Sequence, residues 1–216
     1  MTEPDFLRAT RASYDAIATD YAELFREELA GKPLDRAMFA AFAELVRGSG
    51  PVADVGSGPG LVTAHLHGLG LDVFGVDLSP EMVALARRTH PGLRFEEGSM
   101  LDLDLPDGAL GGLVANYSII HIPLELLPDV FAEFHRVLAP GAYALVVFQV
   151  GDESGRRTEA FGHEISLDFH RRRPDQIAEL MTKAGLVMHA TLVREPGAGT
   201  SEPTQQALLL ARKPPA

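Results

Sequence analysis

Residues 54–60 read DVGSGPG, and they lie between a short apolar run at 51–53 and a helix-compatible segment, LVTAHL, at 61–66. Three glycines at alternate positions let the backbone turn tightly from a strand into a helix and approach a ligand closely. A second apolar run at 71–76 is followed by Asp77. A carboxylate at that place can accept hydrogen bonds from a ribose diol. The stretch therefore predicts a strand–loop–helix unit that binds a nucleoside.

The glycine spacing distinguishes classes of ligand. A dinucleotide-binding loop reads G-x-G-x-x-G/A, whereas this loop reads G-x-G-x-G and has Leu61 at the place of the last small residue. A triphosphate-binding loop needs G-K-[ST], which does not occur in the chain. Asp54 at the start of the loop would repel phosphate and accept a cation. S-adenosylmethionine (SAM), with its sulfonium and ammonium groups, fits that charge.

The composition indicates a globular chain of 216 residues without cysteine, which excludes disulfides, thiolate zinc sites and iron–sulfur clusters. The net charge of −11 disfavours nucleic acid and anionic membranes as partners. Residues 1–10 do not resemble a signal peptide, and no apolar run reaches the ~18 residues of a membrane span. We therefore expect a cytoplasmic location.

Short β-rich runs alternate with helical segments along most of the chain, which predicts an α/β fold with a doubly wound, mostly parallel sheet. Residues 151–172 interrupt this alternation and read as a polar loop. The short connection at 195–199 predicts that the last two strands are antiparallel. Strands are predicted at 52–55, 71–76, 93–97, 112–118, 142–149, 186–193 and 205–212. Helices are predicted at 5–30 (in one or two pieces), 34–47, 60–68, 80–89, 124–138 and 174–184.

Four segments occur in an order that resembles the class I SAM-dependent methyltransferases of the small-molecule type: DVGSGPG at 54–60, GVDLSPEM at 75–82, LPDG at 105–108 and VLAPGA at 137–142. The resemblance extends over residues 14–213. It implies one domain, 1–216, with a Rossmann-like seven-stranded sheet and an antiparallel hairpin at its edge. It also implies that N-terminal helices within 1–48 cover the cofactor and that an insert at 151–173 forms the acceptor side.

The same resemblance implies a set of cofactor-binding residues. Asp77 would bind the ribose, although it can equally cap the following helix. Tyr14 and Tyr21 would cover the cofactor, although their spacing also fits an ordinary core face. At the position of Ser99 the family often has an aspartate that reaches the adenine amino group. Serine is shorter and uncharged, so Ser99 departs from the family pattern. The implied set is Asp54, Gly56, Ser57, Gly58, Gly60, Asp77, Leu78, Met82, Ser99, Met100, Leu101, Asn116, Tyr117, Tyr14 and Tyr21.

The acceptor side offers histidines as candidate bases, because histidine titrates near neutral pH. His121 is the candidate catalytic residue, and packing over a helix start is its structural alternative. His121, His163 and Phe169 are candidate acceptor-binding residues. His163, Glu164, Asp168 and His170 together raise the question of a metal site, but polar loops commonly carry such residues, and we predict no metal.

The predicted function is methyl transfer from SAM to a small-molecule acceptor, with S-adenosylhomocysteine (SAH) as product. One alternative is a module that binds SAM or SAH without catalysis. Another is an NAD- or nucleotide-sugar-dependent enzyme, against which the glycine spacing speaks. A methyltransferase acting on RNA or protein is a further alternative, and the acidic balance speaks against it. The sequence indicates neither the acceptor atom nor the oligomeric state.

Overall fold

The computed structural model describes residues 4–197 and 202–215. Its strands are β1 Val52–Val55, β2 Val73–Asp77, β3 Arg94–Glu97, β4 Leu110–Asn116, β5 Leu138–Gln149, β6 Ser154–Ala160, β7 His163–His170, β8 Val187–Arg194 and β9 Gln206–Arg212. Its helices are α1 Asp5–Phe25, α2 Pro33–Val46, α3 Leu61–Gly68, α4 Pro80–Thr89, α5 Leu127–Val137 and α6 Pro174–Lys183. Short 3-10 turns lie at Glu28–Gly31, Ile119–His121 and Leu124–Leu126.

Seven strands form one sheet in the order β3-β2-β1-β4-β5-β9-β8. The strands from β3 to β5 in this order run parallel, and β9 is antiparallel to both β5 and β8. The predicted doubly wound, Rossmann-like sheet with an antiparallel edge hairpin is therefore confirmed. The chain changes direction of travel across the sheet between β1 and β4, which is where ligands bind beyond the carboxyl ends of parallel strands.

Apolar side chains cover both faces of the sheet. On one face α5 and α6 bury residues such as Phe131, Phe134 and Ile177. On the other face α2 and α3 bury Phe42 and Leu66. The central strands are consequently buried on both sides, as expected for parallel strands between helical layers, and they provide a rigid support for the loops at their ends.

The prediction for residues 151–172 was wrong in one respect. This segment is not an irregular loop, because β6 and β7 form a separate two-stranded antiparallel sheet. Ile165 and Leu167 of β7 pack on Ile17 of α1. The apolar face of this hairpin thus packs against the N-terminal helix, and its other face, rich in exposed polar residues, gave the segment its loop-like sequence.

Other boundaries differ modestly from the prediction. The helix expected at 5–30 forms in two pieces, α1 and the 3-10 turn Glu28–Gly31. The helix expected at 124–138 begins as a 3-10 turn, and its last residue already belongs to β5. Residues 1–3, part of the predicted N-terminal cover, and residues 198–199, part of the predicted connection between β8 and β9, lie outside the described residues. Within the described ranges, no helix combines the length and the apolar character required to cross a bilayer.

Candidate functional site

The glycine loop between β1 and α3 contains three left-handed residues, with φ of 76° at Gly56, 52° at Gly58 and 88° at Gly60. A Cβ atom at Gly56 would overlap the Cβ of Ser118, and one at Gly60 would lie 2.7 Å from the Phe95 ring. A Cβ at Gly58 would have no neighbour within 4 Å. Protein packing therefore requires glycine at the first and third positions, whereas Gly58 borders open space.

That open space belongs to a cleft at the carboxyl ends of β1, β2 and β4. Its first cavity encloses about 730 Å³. Most of the predicted cofactor residues line it, together with α1 residues that the sequence did not single out. From the predicted set these are Gly56, Gly58, Asp77, Leu78, Met82, Ser99, Met100, Asn116, Tyr117, Tyr14 and Tyr21, with His121; the additional α1 residues are Phe6, Leu7 and Thr10.

A second cavity, of about 610 Å³, also borders the glycine loop. Asp54 and Ser57 line this cavity. The two cavities share Gly56, Gly58, Tyr21, Asn116 and Tyr117 as walls. They therefore adjoin along the loop, and an elongated ligand can extend from one into the other.

Four predicted site residues line neither cavity. Gly60 packs under Phe95, and Leu101 packs against the main core. Phe169 of β7 lies over Gly155 of the neighbouring strand. His163 is about half exposed, and its Nε2 lies 3.5 Å from an Asp20 carboxylate oxygen.

Asp77, at the end of β2, holds the glycine loop in place. Its Oδ2 accepts a hydrogen bond from the Gly58 N–H at 2.7 Å, and its Oδ1 accepts one from the Ser79 N–H at 2.9 Å. Burial raises the pKa of this carboxyl group. Each carboxylate oxygen has a further lone pair, so the structural bonds and a bond from a ligand hydroxyl are compatible.

Helix α1 is fastened to the start of α4 beside this carboxylate. The Ser79 hydroxyl caps α4 by accepting a hydrogen bond from the Met82 N–H at 3.1 Å, and it donates to Asp15 Oδ1 at 2.6 Å. Arg11 Nε donates to the Leu78 carbonyl at 3.1 Å. Asp15 was not among the predicted residues, and no local pattern marks it, because its partner lies 64 positions away.

His121 connects three elements at the edge of the first cavity. Its Nε2 lies 2.8 Å from the Tyr14 hydroxyl of α1, and its Nδ1 lies 2.7 Å from the Asp168 carbonyl of β7. Burial lowers the pKa of His121 to about 4, despite the opposing effect of the Asp168 carbonyl. The imidazole is therefore neutral at physiological pH, and both of its nitrogens are already engaged.

Asp54, at the end of β1, is completely buried. Its Oδ2 accepts a hydrogen bond from the Thr63 hydroxyl at 2.7 Å, whereas its Oδ1 has no partner among the described residues. Burial raises the pKa of Asp54 to about 7. A buried carboxylate oxygen without a donor is costly, and it indicates a place for a donor that a ligand supplies.

Tyr117 follows β4 and stands between the two cavities. Its φ of 52° is left-handed, which is unusual for a non-glycine residue and often marks a functional position. Its buried hydroxyl has no partner among the described residues, and burial raises its pKa to about 12. The Lys32 Nζ lies 4.9 Å from the centre of the tyrosine ring.

A charge network borders the second cavity, which Glu28, Lys32 and Asp35 help to line. Lys32 Nζ lies 2.7 Å from Glu28 and 2.8 Å from Glu202. Arg194, at the end of β8, pairs with Asp35 at 2.5 Å and with Glu202 at 2.7 Å. This network was not predicted, because Lys32 and Asp35 are far in sequence from their partners Glu202 and Arg194.

The candidate metal ligands of the hairpin are engaged elsewhere. His170 Nδ1 lies 2.7 Å from the Ser154 hydroxyl, and the Asp168 carboxylate pairs with Arg156 at 2.6 Å. Across the part of the chain that the structure describes, no three or more His, Asp or Glu residues are grouped as a metal site would require.

The cleft as a whole fits SAM. Asp77 provides acceptor oxygens in the first cavity, Asp54 provides an unpartnered carboxylate oxygen in the second, and the space beside Gly58 is open. A cationic, elongated nucleoside requires acceptors of this kind and an extended cleft.

Comparison with known proteins agrees with this geometry. Residues 52–141 match a family model described as a methyltransferase domain. The chain is 35% identical over 97 residues to the demethylmenaquinone methyltransferase of Chlorobaculum parvum, covering 44% of this chain and 39% of the relative. It is 31% identical over 149 residues to the trans-aconitate 2-methyltransferase of Escherichia coli O7:K1, covering 68% of this chain and 55% of the relative.

The chain thus spans about half or less of the length of these curated relatives. A solved structure, the complex of DhpI with SAH, superposes on all of this chain and is itself fully covered, with a TM-score of 0.73 and 25% identity. The matched residues include the glycine loop, β2 and β4, which form the floor of the cleft. Residues 52–141 are thus similar to a methyltransferase domain, and the fold is that of the class I SAM-dependent methyltransferases, of which the DhpI structure holds SAH.

Proposed function

We propose that this chain transfers a methyl group from SAM to a small-molecule acceptor by in-line displacement. The observation that carries the proposal is the two-part cleft, in which Asp54 Oδ1 and the Tyr117 hydroxyl are buried and have no hydrogen-bond partner in the described part of the chain. When bound, SAM supplies a methyl group that is already activated by the sulfonium. The protein therefore has to bind, orient and shield the reactants.

The residues of the first cavity would hold the adenosyl end. Asp77 would accept hydrogen bonds from the ribose, and Met82, Ser99 and Met100, which also line this cavity, would contact the adenine. The residues of the second cavity would hold the amino-acid end. There Asp54 Oδ1 is an acceptor for the ammonium, and the Tyr117 hydroxyl is a donor for the carboxylate.

Helix α1 and the β6–β7 hairpin would complete the acceptor side. Phe6, Leu7 and Ile122 give the first cavity apolar walls, which exclude water. The names of the relatives acting on demethylmenaquinone and trans-aconitate favour a small acceptor. His121 remains the candidate catalytic residue on the acceptor side. Its Nε2 faces the Tyr14 hydroxyl, so it would act through Tyr14.

Calorimetric titration of the purified protein with SAM, SAH and NAD tests the cofactor assignment in the cleft. We expect micromolar binding of SAM and SAH and no binding of NAD, because the glycine loop has no place for a pyrophosphate. Binding of NAD, or failure of both SAM and SAH to bind, would contradict the proposal.

Replacing Asp77 with alanine is expected to weaken SAM binding by more than about tenfold, since it removes acceptors for a ribose diol and frees the Gly58 N–H, and hydrogen bonds to charged groups contribute ~1.5–3 kcal/mol. Asp104→Ala, in an exposed position outside both cavities, is the matched control. Titration of both variants, with circular dichroism to verify folding, measures the effect. Unchanged affinity in Asp77→Ala would show that the ribose site is misplaced.

A further inference from the structure

The hydrogen-bond chain from Tyr14 through His121 to the hairpin has a defined direction. The Asp168 carbonyl, 2.7 Å from His121 Nδ1, can only accept, so the proton of the neutral imidazole lies on Nδ1. Nε2 is then an acceptor. The Tyr14 hydroxyl, 2.8 Å from Nε2, must therefore donate its single proton to His121.

This direction determines what Tyr14 presents to the cleft. With its proton committed to Nε2, the phenol oxygen has only lone pairs left for a ligand in the first cavity, which it lines. Burial raises the pKa of Tyr14, so the group stays a neutral phenol. The oxygen can accept a hydrogen bond or a positively polarised C–H group, and it cannot donate.

The side-chain oxygens of two other residues that line the first cavity differ from that of Tyr14. Both oxygens of Asp77 already accept backbone N–H groups, and the Tyr117 hydroxyl has no acceptor among the described residues. Tyr14 is further held by edge contacts of its ring with those of His121, at 5.4 Å between centres, and Tyr21, at 5.6 Å. Its oxygen is thus fixed in both place and polarity.

The geometry points to His121 as a positioning residue that, through Tyr14, presents a proton-free oxygen to the sulfonium end of SAM. SAM and SAH differ by one methyl group and one positive charge. An acceptor oxygen that cannot turn into a donor favours the charged form, so the pair would bind the methyl donor in preference to the product. This inference rests on the proposed binding of SAM in the cleft, and it gives the hairpin, through the Asp168 carbonyl, a role in cofactor selection.

The test compares the affinity for SAM with that for SAH, measured by calorimetry in the wild type and in three variants. Tyr14→Phe removes the oxygen. His121→Asn can still donate to the Asp168 carbonyl but has no atom at the place of Nε2, whereas His121→Gln can put an amide oxygen there as an acceptor for Tyr14. We expect the preference for SAM to fall about five- to tenfold in Tyr14→Phe and His121→Asn, the range for a typical hydrogen bond, and to stay within about twofold of wild type in His121→Gln.

A purely structural role for the pair would lower both affinities together and leave their ratio unchanged, which would overturn the inference. Equal ratios in His121→Asn and His121→Gln would overturn it as well. The double variant Tyr14→Phe/His121→Asn should show no further loss of preference beyond Tyr14→Phe, because both changes remove one interaction.

NMR of the imidazole nitrogens in the wild-type protein provides a readout that needs no variant to fold. We expect His121 to be protonated on Nδ1 alone at neutral pH, and an Nε2-protonated or fully charged ring would refute the proposed direction. Failure of the proposed function has a different signature: the wild type would then bind neither SAM nor SAH, whatever the state of His121.

Discussion

Replacing Gly58 with alanine is expected to weaken SAM binding about 100-fold or more, which corresponds to ~2.7 kcal/mol, while the protein still folds. A Cβ at this position meets no protein atom within 4 Å, and Gly58 is a wall of both cavities. The new methyl group would therefore occupy ligand space. Its cost to folding is limited to the left-handed backbone, at about 1–2 kcal/mol.

At Gly56, by contrast, alanine is expected to destabilise the fold. At Gly56 a Cβ would overlap that of Ser118, whose hydroxyl donates to the Val55 carbonyl at 2.7 Å. Gly56→Ala should thus lose about 3 kcal/mol or more of stability, from the strained backbone and from overpacking together. The two variants separate a glycine required by the ligand from a glycine required by the fold.

Urea unfolding and calorimetric titration of each variant measure these effects. Gly162→Ala, in the turn of the β6–β7 hairpin, is the matched control, because its φ is also left-handed at 79° and a Cβ there meets nothing within 4 Å. It should lose a similar stability to Gly58→Ala and bind SAM normally. Wild-type affinity in Gly58→Ala would show that the ligand does not pass this point of the loop.

The sheet was predictable because its information is local. The apolar runs that became β1, β2, β4 and β5 are short, separated by helical segments, and buried on both faces, so each run indicates a strand by itself. The hairpin was not predictable in this way. Ile165 and Leu167 find their apolar partners on α1, at Ile17, and nothing near the hairpin in sequence indicates that contact.

The same distinction holds for the site. The glycine loop and Asp77 could be recognised from their spacing, and the structure brings them to one cleft. Asp15, the Asp168 carbonyl and the pair Asp35–Arg194 were not foreseen, since their contacts join residues 64, 47 and 159 positions apart. Their chemistry is ordinary for exposed residues, and they meet their partners only when α1, the β6–β7 hairpin and β8 take their places in the fold.

Asp54→Asn is expected to stabilise the cofactor-free protein and to impair cofactor binding. Burial raises the pKa of this carboxyl from its ordinary value of 3.8 to about 7. The folded state therefore retains a proton that the unfolded state has lost, and stability falls as the pH rises from about 4 to above 7. At ~1.4 kcal/mol per pKa unit, the ionised carboxylate costs the fold roughly 4 kcal/mol at pH 8.

The asparagine variant carries no such charge but keeps an amide in the same buried place. We expect its stability relative to wild type to be roughly 4 kcal/mol more favourable at pH 8 than at pH 4, because only the wild type ionises at this position. Urea unfolding across this range measures the difference. The control is Asp72→Asn, at an exposed position before β2, which makes the same substitution without removing a buried carboxyl group.

Asp54→Asn should weaken SAM binding although it stabilises the free protein. The reason is that SAM supplies the hydrogen-bond donor that Asp54 Oδ1 lacks. An ammonium at Asp54 Oδ1 would stabilise the ionised form, so wild-type affinity for SAM should rise as the pH increases through 7, and Asp54→Asn should bind about tenfold more weakly or worse at pH 8. If the variant binds SAM as tightly as wild type, the ammonium does not lie at Asp54. The ionised Asp54 carboxylate would thus lower the stability of the free protein and raise its affinity for SAM. A purely structural residue would not combine these two effects, so measuring both distinguishes a binding role for Asp54 from a structural one.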